Sequence, residues 1–225
     1  MTADFLAKMD LFYIEEEDRS SGIGVLADNS PGPFSIGDKM SIFGCTTLVY
    51  GTELVLLPTQ TAFTPGDPIR PTGTNNRSSG GGVFGNQPGV FHDLSVPGAP
   101  RPAYGLNDVG SLIRLWGRVT CDNLELDLPW GPSQVFWIDD GTNLHDGFNC
   151  ATGSPSTGVA VLLPPDTPPP SGYWGITGIM TAVPSLSWLP VRLLVPRSED
   201  DMTPYQSRGR SAQDGALQGV GKGAL

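Results

Sequence analysis

Basic residues are scarce in this chain: 13 Lys and Arg stand against 23 Asp and Glu, a formal charge of −10 over 225 residues. Binding to a phosphate backbone rests on clustered Lys and Arg, so this balance argues against nucleic acid as the main partner. Histidine is almost absent. His92 and His145 are the only two, and both read as ordinary loop residues. No GxSxG elbow and no HExxH motif occurs. The expectation is therefore a protein that is not an enzyme. The three cysteines form no CxxC pair and no Cys/His cluster with metal-site spacing, so no metal and no cofactor is expected. No run of about 18 apolar residues exists to span a membrane as a helix. The opening MTADFLAKMD also lacks the apolar centre of a signal peptide.

Turn-formers are plentiful instead, with 30 Gly and 22 Pro, while 38% of residues are hydrophobic. The apolar residues fall in short runs bounded by Gly, Pro, Asn or Asp, a pattern that predicts an all-β chain. An internal repeat organises these runs. In the second half, VGSLIRLWGRVT (109–120), QVFWIDD (134–140), GVAVLL (158–163), YWGITGIM (173–180) and WLPVRLLV (188–195) read as five strands. The fourth carries glycines where a strand must bend. Four of the five recur in the first half in the same order. LFYIE (11–15) matches VFWID, SGIGVL (21–26) matches TGVAVL, IGDKMSIFG (36–44) matches PSGYWGITG, and ELVLL (53–57) matches the run ending RLLV.

These residues, FYIEEEDRSSGIGV with GDKMSIFG and VGSLIRLWGRVT with FWIDDGTNL, GVAVLLP and GYWGITGIM, resemble OB-fold domains of the nucleic-acid-binding superfamily. The tandem form is that of predicted secreted proteins of environmental bacteria. The resemblance implies two tandem five-stranded OB-like barrels, and it speaks to fold more than to activity. The expected layout is a first barrel over 1–59, a Gly/Pro/Asn-rich linker over 60–107, a second barrel over 108–203 and a basic low-complexity tail over 204–225. The first barrel is expected to lack its own first strand, because only about ten residues precede LFYIE. Either an upstream extension, which would also hold a signal peptide, supplies the strand, or it comes from elsewhere. An open sheet edge invites strand addition.

Several residues are singled out by type and place. OB-type barrels stack ligands on exposed aromatics of the second and third strands, and Tyr13 and Trp137 occupy matching positions there as ligand-binding candidates. Trp116, Trp174 and Trp188 read as core or inter-domain packing. Cys121 and Cys150 are a disulfide candidate suited to an oxidising exterior, with Cys45 left free and buried. Asn76-Arg77-Ser78 is an N-glycosylation pattern. Asp139, Asp140, Asn143 and Asp146 read as a hairpin turn, since they lack EF-hand spacing. Glu15–Asp18 reads as a solvated strand end.

Two functions follow. The first is a non-enzymatic extracellular or cell-surface structural protein. It self-assembles, as a filament or surface layer, by strand addition and tail docking, with Leu11, Tyr13, Arg208, Arg210 and Lys222 as the assembly residues. The alternative, implied by the fold resemblance, is an OB-fold binding module for single-stranded nucleic acid or oligosaccharide. The expected partners are further copies of the chain and, under the alternative, a glycan.

Overall fold

The computed structural model describes residues 1–5, 9–26, 34–49, 51–90, 93–94, 105–184 and 190–205. His92, Trp188, Arg208, Arg210 and Lys222 lie outside the described residues. The apolar runs become strands, as their β-branched and aromatic content dictates. The first five are β1 (Ala3–Phe5), β2 (Leu11–Glu15), β3 (Gly22–Leu26), β4 (Lys39–Val49) and β5 (Glu53–Thr64). They form one sheet in the order β1-β2-β3-β5-β4.

A second sheet follows. Its strands are β6 (Thr72–Gly73), β7 (Leu112–Leu128), β8 (Gly131–Asp139), β9 (Val159–Leu162), β10 (Tyr173–Pro184), β11 (Pro190–Val195) and β12 (Met202–Pro204). The order is β12-β10-β11-β9-β8-β7-β6, and β10 pairs with β7 as well. The chain is thus all-β with two sheets.

The repeat read from the sequence is present in the hydrogen-bond ladders. β2–β3, β3–β5 and β4–β5 are antiparallel, parallel and antiparallel. β8–β9, β9–β11 and β10–β11 have the same senses. The registers agree residue by residue. Tyr13 faces Gly24 as Trp137 faces Ala160. Val25 faces Leu56 as Val161 faces Leu194. One glycine shows why the repeat keeps its composition. A Cβ at Gly44 would lie 2.0 Å from the Leu57 carbonyl oxygen, and a Cβ at Gly178 would lie 2.6 Å from that of Val195. These are matching glycines against matching carbonyls.

The expectation that the first unit lacks its opening strand needs correction. β1 stands in that place and pairs with β2, Ala3 opposite Tyr13, as Cys121 stands opposite Trp137. However, β1 has three residues where β7 has 17. Among the described residues it does not pair with β4, whereas the Leu112–Arg118 part of β7 runs along β10.

The described residues of the segment 60–107, expected as a linker, take part in the sheets and their packing. β5 continues to Thr64, and β6 joins β7 in parallel. Asn76 and Ser79 are buried. The Gln87 side chain accepts from Leu54 N–H at 2.7 Å and donates to the Thr52 carbonyl at 2.9 Å.

The core has three main parts. Ile113, Leu115, Phe136, Val161, Ile176 and Leu194 pack on one side of the second sheet. Phe12 and Val25, with Met40, Ile42 and Leu56, pack on the matching side of the first. The opposite sides of the two units share the largest cluster, where Tyr13 and Val55 join Trp137 and Leu193. Equivalent positions of the repeat thus belong to one shared cluster. At Gly22 and Gly110 the two units touch backbone to backbone. A Cβ at Gly22 would lie 2.3 Å from the Gly110 oxygen, and one at Gly110 would lie 2.5 Å from the Gly22 carbonyl carbon.

Candidate functional site

A sheet edge left open is a row of backbone donors and acceptors. The long open edge here is β4. It pairs with β5 along one side, from Lys39 to Val49, and with no described strand along the other. Its counterpart β10 lies between β7 on one side and β11 and β12 on the other. The effect on burial is direct. Ile176, Ile179 and Met180 of β10 are buried. Their equivalents Cys45 and Thr46 are exposed, and Ile42 is half-buried. Phe43 is 68% exposed, and Leu48 and Phe63 also face solvent. The run MSIFGCTTLV (40–49) has no charge and no proline. Edges meant to stay in water usually carry Lys, Pro, a bulge or a short span, and here Lys39 at the start of β4 and the bulge between Phe43 and Gly44 are such devices, while the run from 40 to 49 carries no charge. Beside the start of this edge lies a cleft of about 550 Å³, lined by Met1, Ile14, Ile23, Met40 and Ile69 with Glu15, Glu16 and Glu17 around it.

The junction between the units is held by polar groups that the sequence did not mark. Glu53 accepts a short hydrogen bond from the Thr181 hydroxyl, and Thr52 Oγ1 donates to the Ala182 carbonyl at 2.9 Å. Burial pushes the Glu53 pKa up to about 7, against the lowering effect of bonds from Thr181 and Tyr13. Burial first, and the nearby Glu53 charge second, push the Tyr13 phenol upward. Glu15 is not a solvated strand end. Its side chain is almost wholly buried, accepts from Leu112 N–H at 3.1 Å and pairs with Arg19 at 3.1 Å.

A second buried polar group ties 76–80 to the second unit. Arg192 is fully buried and donates to the carbonyls of Ser79 at 3.1 Å, Gly158 at 3.0 Å and, closer still, Asn76. Burial lowers its pKa to about 10, opposed by the carboxylates of Asp146 and Asp108. Burial likewise pushes Asp108 up to about 6 and raises Asp146. Such an arrangement holds structure and offers no access to a substrate.

The structure relocates most candidate residues. Tyr13 and Trp137 sit at matching places, but both are fully buried, Tyr13 beside Glu53 at the junction and Trp137 against Phe148 of its own unit. Trp137 Nε1 donates to Asp146 at 2.9 Å. Neither ring can stack a ligand, because the face expected to point outward is covered in both units, over Trp137 by Asp146 and Phe148. Leu11 is buried between Phe5 and Leu26, so neither it nor Tyr13 can form an outer assembly surface.

Asn76 is buried, its amide donating to the Ile138 carbonyl at 2.8 Å, so the folded protein cannot present it for glycosylation. Cys121 and Cys150 form a disulfide. Cys45 is free but exposed rather than buried. Trp116 is 57% exposed rather than core. The Asp139–Asp146 loop is a set of turns, with Asp139 accepting from Thr142 and Asn143 and Asp146 from Ser156. Among the described residues no group of three His, Cys, Asp or Glu could hold a metal ion, and no helix is long and apolar enough to cross a membrane. Comparison with protein-family models, with curated proteins and with solved structures finds no match to this chain.

Proposed function

We propose that the chain is a structural building block that joins further copies by adding a strand to β4, outside the cell or on its surface. The observation that carries this reading is internal. β10, the repeat's own copy of β4, is covered by β7, while β4 has an edge uncharged from 40 to 49 with no described strand beside it. Main-chain bonding along such an edge supplies affinity, and side-chain pockets supply specificity. Head-to-tail contacts of this kind propagate as filaments when the rotation does not close. Cyclic pairing through β7, β8, β9, β11 and β10 supports an OB-type closed barrel for the second unit, and the matching senses of β2 to β5 support an open version for the first. The Cys121–Cys150 disulfide supports an oxidising location. The tail, with Arg208, Arg210 and Lys222, would clasp the acidic body of the neighbouring copy.

Sedimentation velocity over a concentration series, with negative-stain microscopy, tests this. The intact chain should associate, and Phe43→Lys with Thr46→Lys should disperse it while leaving the melting temperature nearly unchanged. A chain that stays monomeric at every concentration would overturn the proposal, as would association indifferent to both substitutions.

A further inference from the structure

The outward face of β7 and β10 carries a group of side chains that the assembly reading does not use. Along β7 the residues Arg114, Trp116 and Arg118 point outward, alternating with buried Ile113, Leu115 and Gly117. Period-two alternation puts all three on one side of the strand. Across the ladder, Arg118 stands opposite Tyr173, Trp116 opposite Gly175 and Arg114 opposite Thr177. The row continues onto β12, where Thr203 stands opposite Gly175 and the Tyr205 N–H donates to the Tyr173 carbonyl at 2.7 Å. Trp116, Tyr173 and Tyr205 are 57%, 47% and 73% exposed. Three large aromatic rings therefore share one open surface with two arginines.

The arginines are placed differently. Arg114 Nη1 donates to Thr177 Oγ1 at 3.1 Å. Its guanidinium lies across β10 at Gly175, where a Cβ would come within 2.8 Å of Nη2. Glycine at 175 is what leaves room for this cation across β10. Among the described residues neither Arg114 nor Arg118 forms an ion pair, in a chain where acids outnumber bases 23 to 13. Two arginines without carboxylate partners, flanking an exposed indole, present planar apolar surface between two anion-binding forks.

We propose that this face binds an acidic polysaccharide, with sugar rings stacked on Trp116 and Tyr173 and uronate carboxylates held by Arg114 and Arg118. Nucleic acid binding scales with the number of phosphates neutralised, and two arginines give few such contacts on a body of net charge −10. Affinity for any polyanion here must come mainly from stacking on the rings, and titration with oligothymidylate separates the two. The Cys121–Cys150 disulfide suits an oxidising exterior, where a polysaccharide would meet this face. The face lies apart from the β4 edge, so the inference stands or falls independently of assembly.

Isothermal titration with an oligogalacturonate, a neutral galactose oligomer of equal length and an oligothymidylate of equal charge tests the inference. The uronate oligomer should bind, and the neutral one should bind about tenfold more weakly or not at all. Trp116→Ala and Arg118→Ala should each weaken uronate binding by about tenfold. Gly175→Ala, which displaces Arg114 without removing a contact residue, should weaken it by a smaller factor. Sedimentation of the same samples reads the association state separately. Absence of uronate binding, binding unaltered in Trp116→Ala, or tighter binding of oligothymidylate would each overturn the inference.

Discussion

Cys45 on β4 and Ile179 on β10 hold the same place in the repeat, opposite Leu57 and Val195 respectively. Ile179 is wholly buried, and Cys45 is exposed. A thiol in that position reports on whatever covers the edge. In dilute protein Cys45 should react with a maleimide at nearly the rate of a free thiol. Its labelling should slow as protein concentration rises, because a strand laid along β4 would shield it. Equal labelling rates across the concentration range would show the edge to be uncovered.

Glu53 makes the junction sensitive to pH. Its pKa is about 7 when folded, against 4.5 for the exposed group. A carboxyl raised in this way stabilises the fold below the unfolded value, and that contribution is lost as pH climbs from about 4.5 through 7. The difference amounts to about 3 kcal/mol. Asp108 and Asp146 are shifted in the same direction, so the wild-type slope is a sum. Glu53→Gln keeps an acceptor for Thr181 and removes one contributor. Urea unfolding between pH 4 and 8 should show a shallower decline for Glu53→Gln than for wild type. Parallel curves would remove Glu53 from this role.

Arg192 should be the costliest single side chain to lose. Removing one partner of a buried charge group typically costs about 3–5 kcal/mol, and Arg192→Ala would leave Asp146 and Asp108 facing no cation. The same clamp can be opened from the other side. Gly80 has φ +78°, and a Cβ there would sit 2.6 Å from Arg192 Cδ, so Gly80→Ala should also destabilise, by about 1–3 kcal/mol. Denaturant midpoints measure both. If Gly80→Ala were neutral, the segment after β6 would be the spacer that its composition suggests.

The strands and their repeat were legible because each rests on local pattern: FYIE beside FWID, GIGVL beside GVAVL, and a glycine at 44 as at 178. The open edge was not legible: the brevity of the chain before Leu11 pointed to the side of β2, which β1 covers, whereas the edge without a described strand is that of β4. Nor could pattern tell which outward positions are covered. Tyr13 and Trp137 lie in phase with outward positions, and only long-range packing buries them, Tyr13 beside the junction carboxylate Glu53 and Trp137 under Asp146 and Phe148. Trp116 is the converse. It reads as core by size, yet Arg114 and Arg118 share its phase on β7, and that was the available sign of its exposure. The run around Asn76, rich in Gly, Ser and Asn, gave no apolar signal. Its burial rests on hydrogen bonds to Arg192 and Ile138, partners more than 60 positions away in sequence.

The seat between Gly22 and Gly110 has a mechanical consequence. Side chains normally form a compliant layer between packed sheets, able to switch rotamers and take up a shift. At this one seat main chain rests on main chain, while side chains fill the rest of the junction. A twist of one sheet against the other is therefore pinned at that point, and a thread built from such links would bend around the pin rather than slide across it.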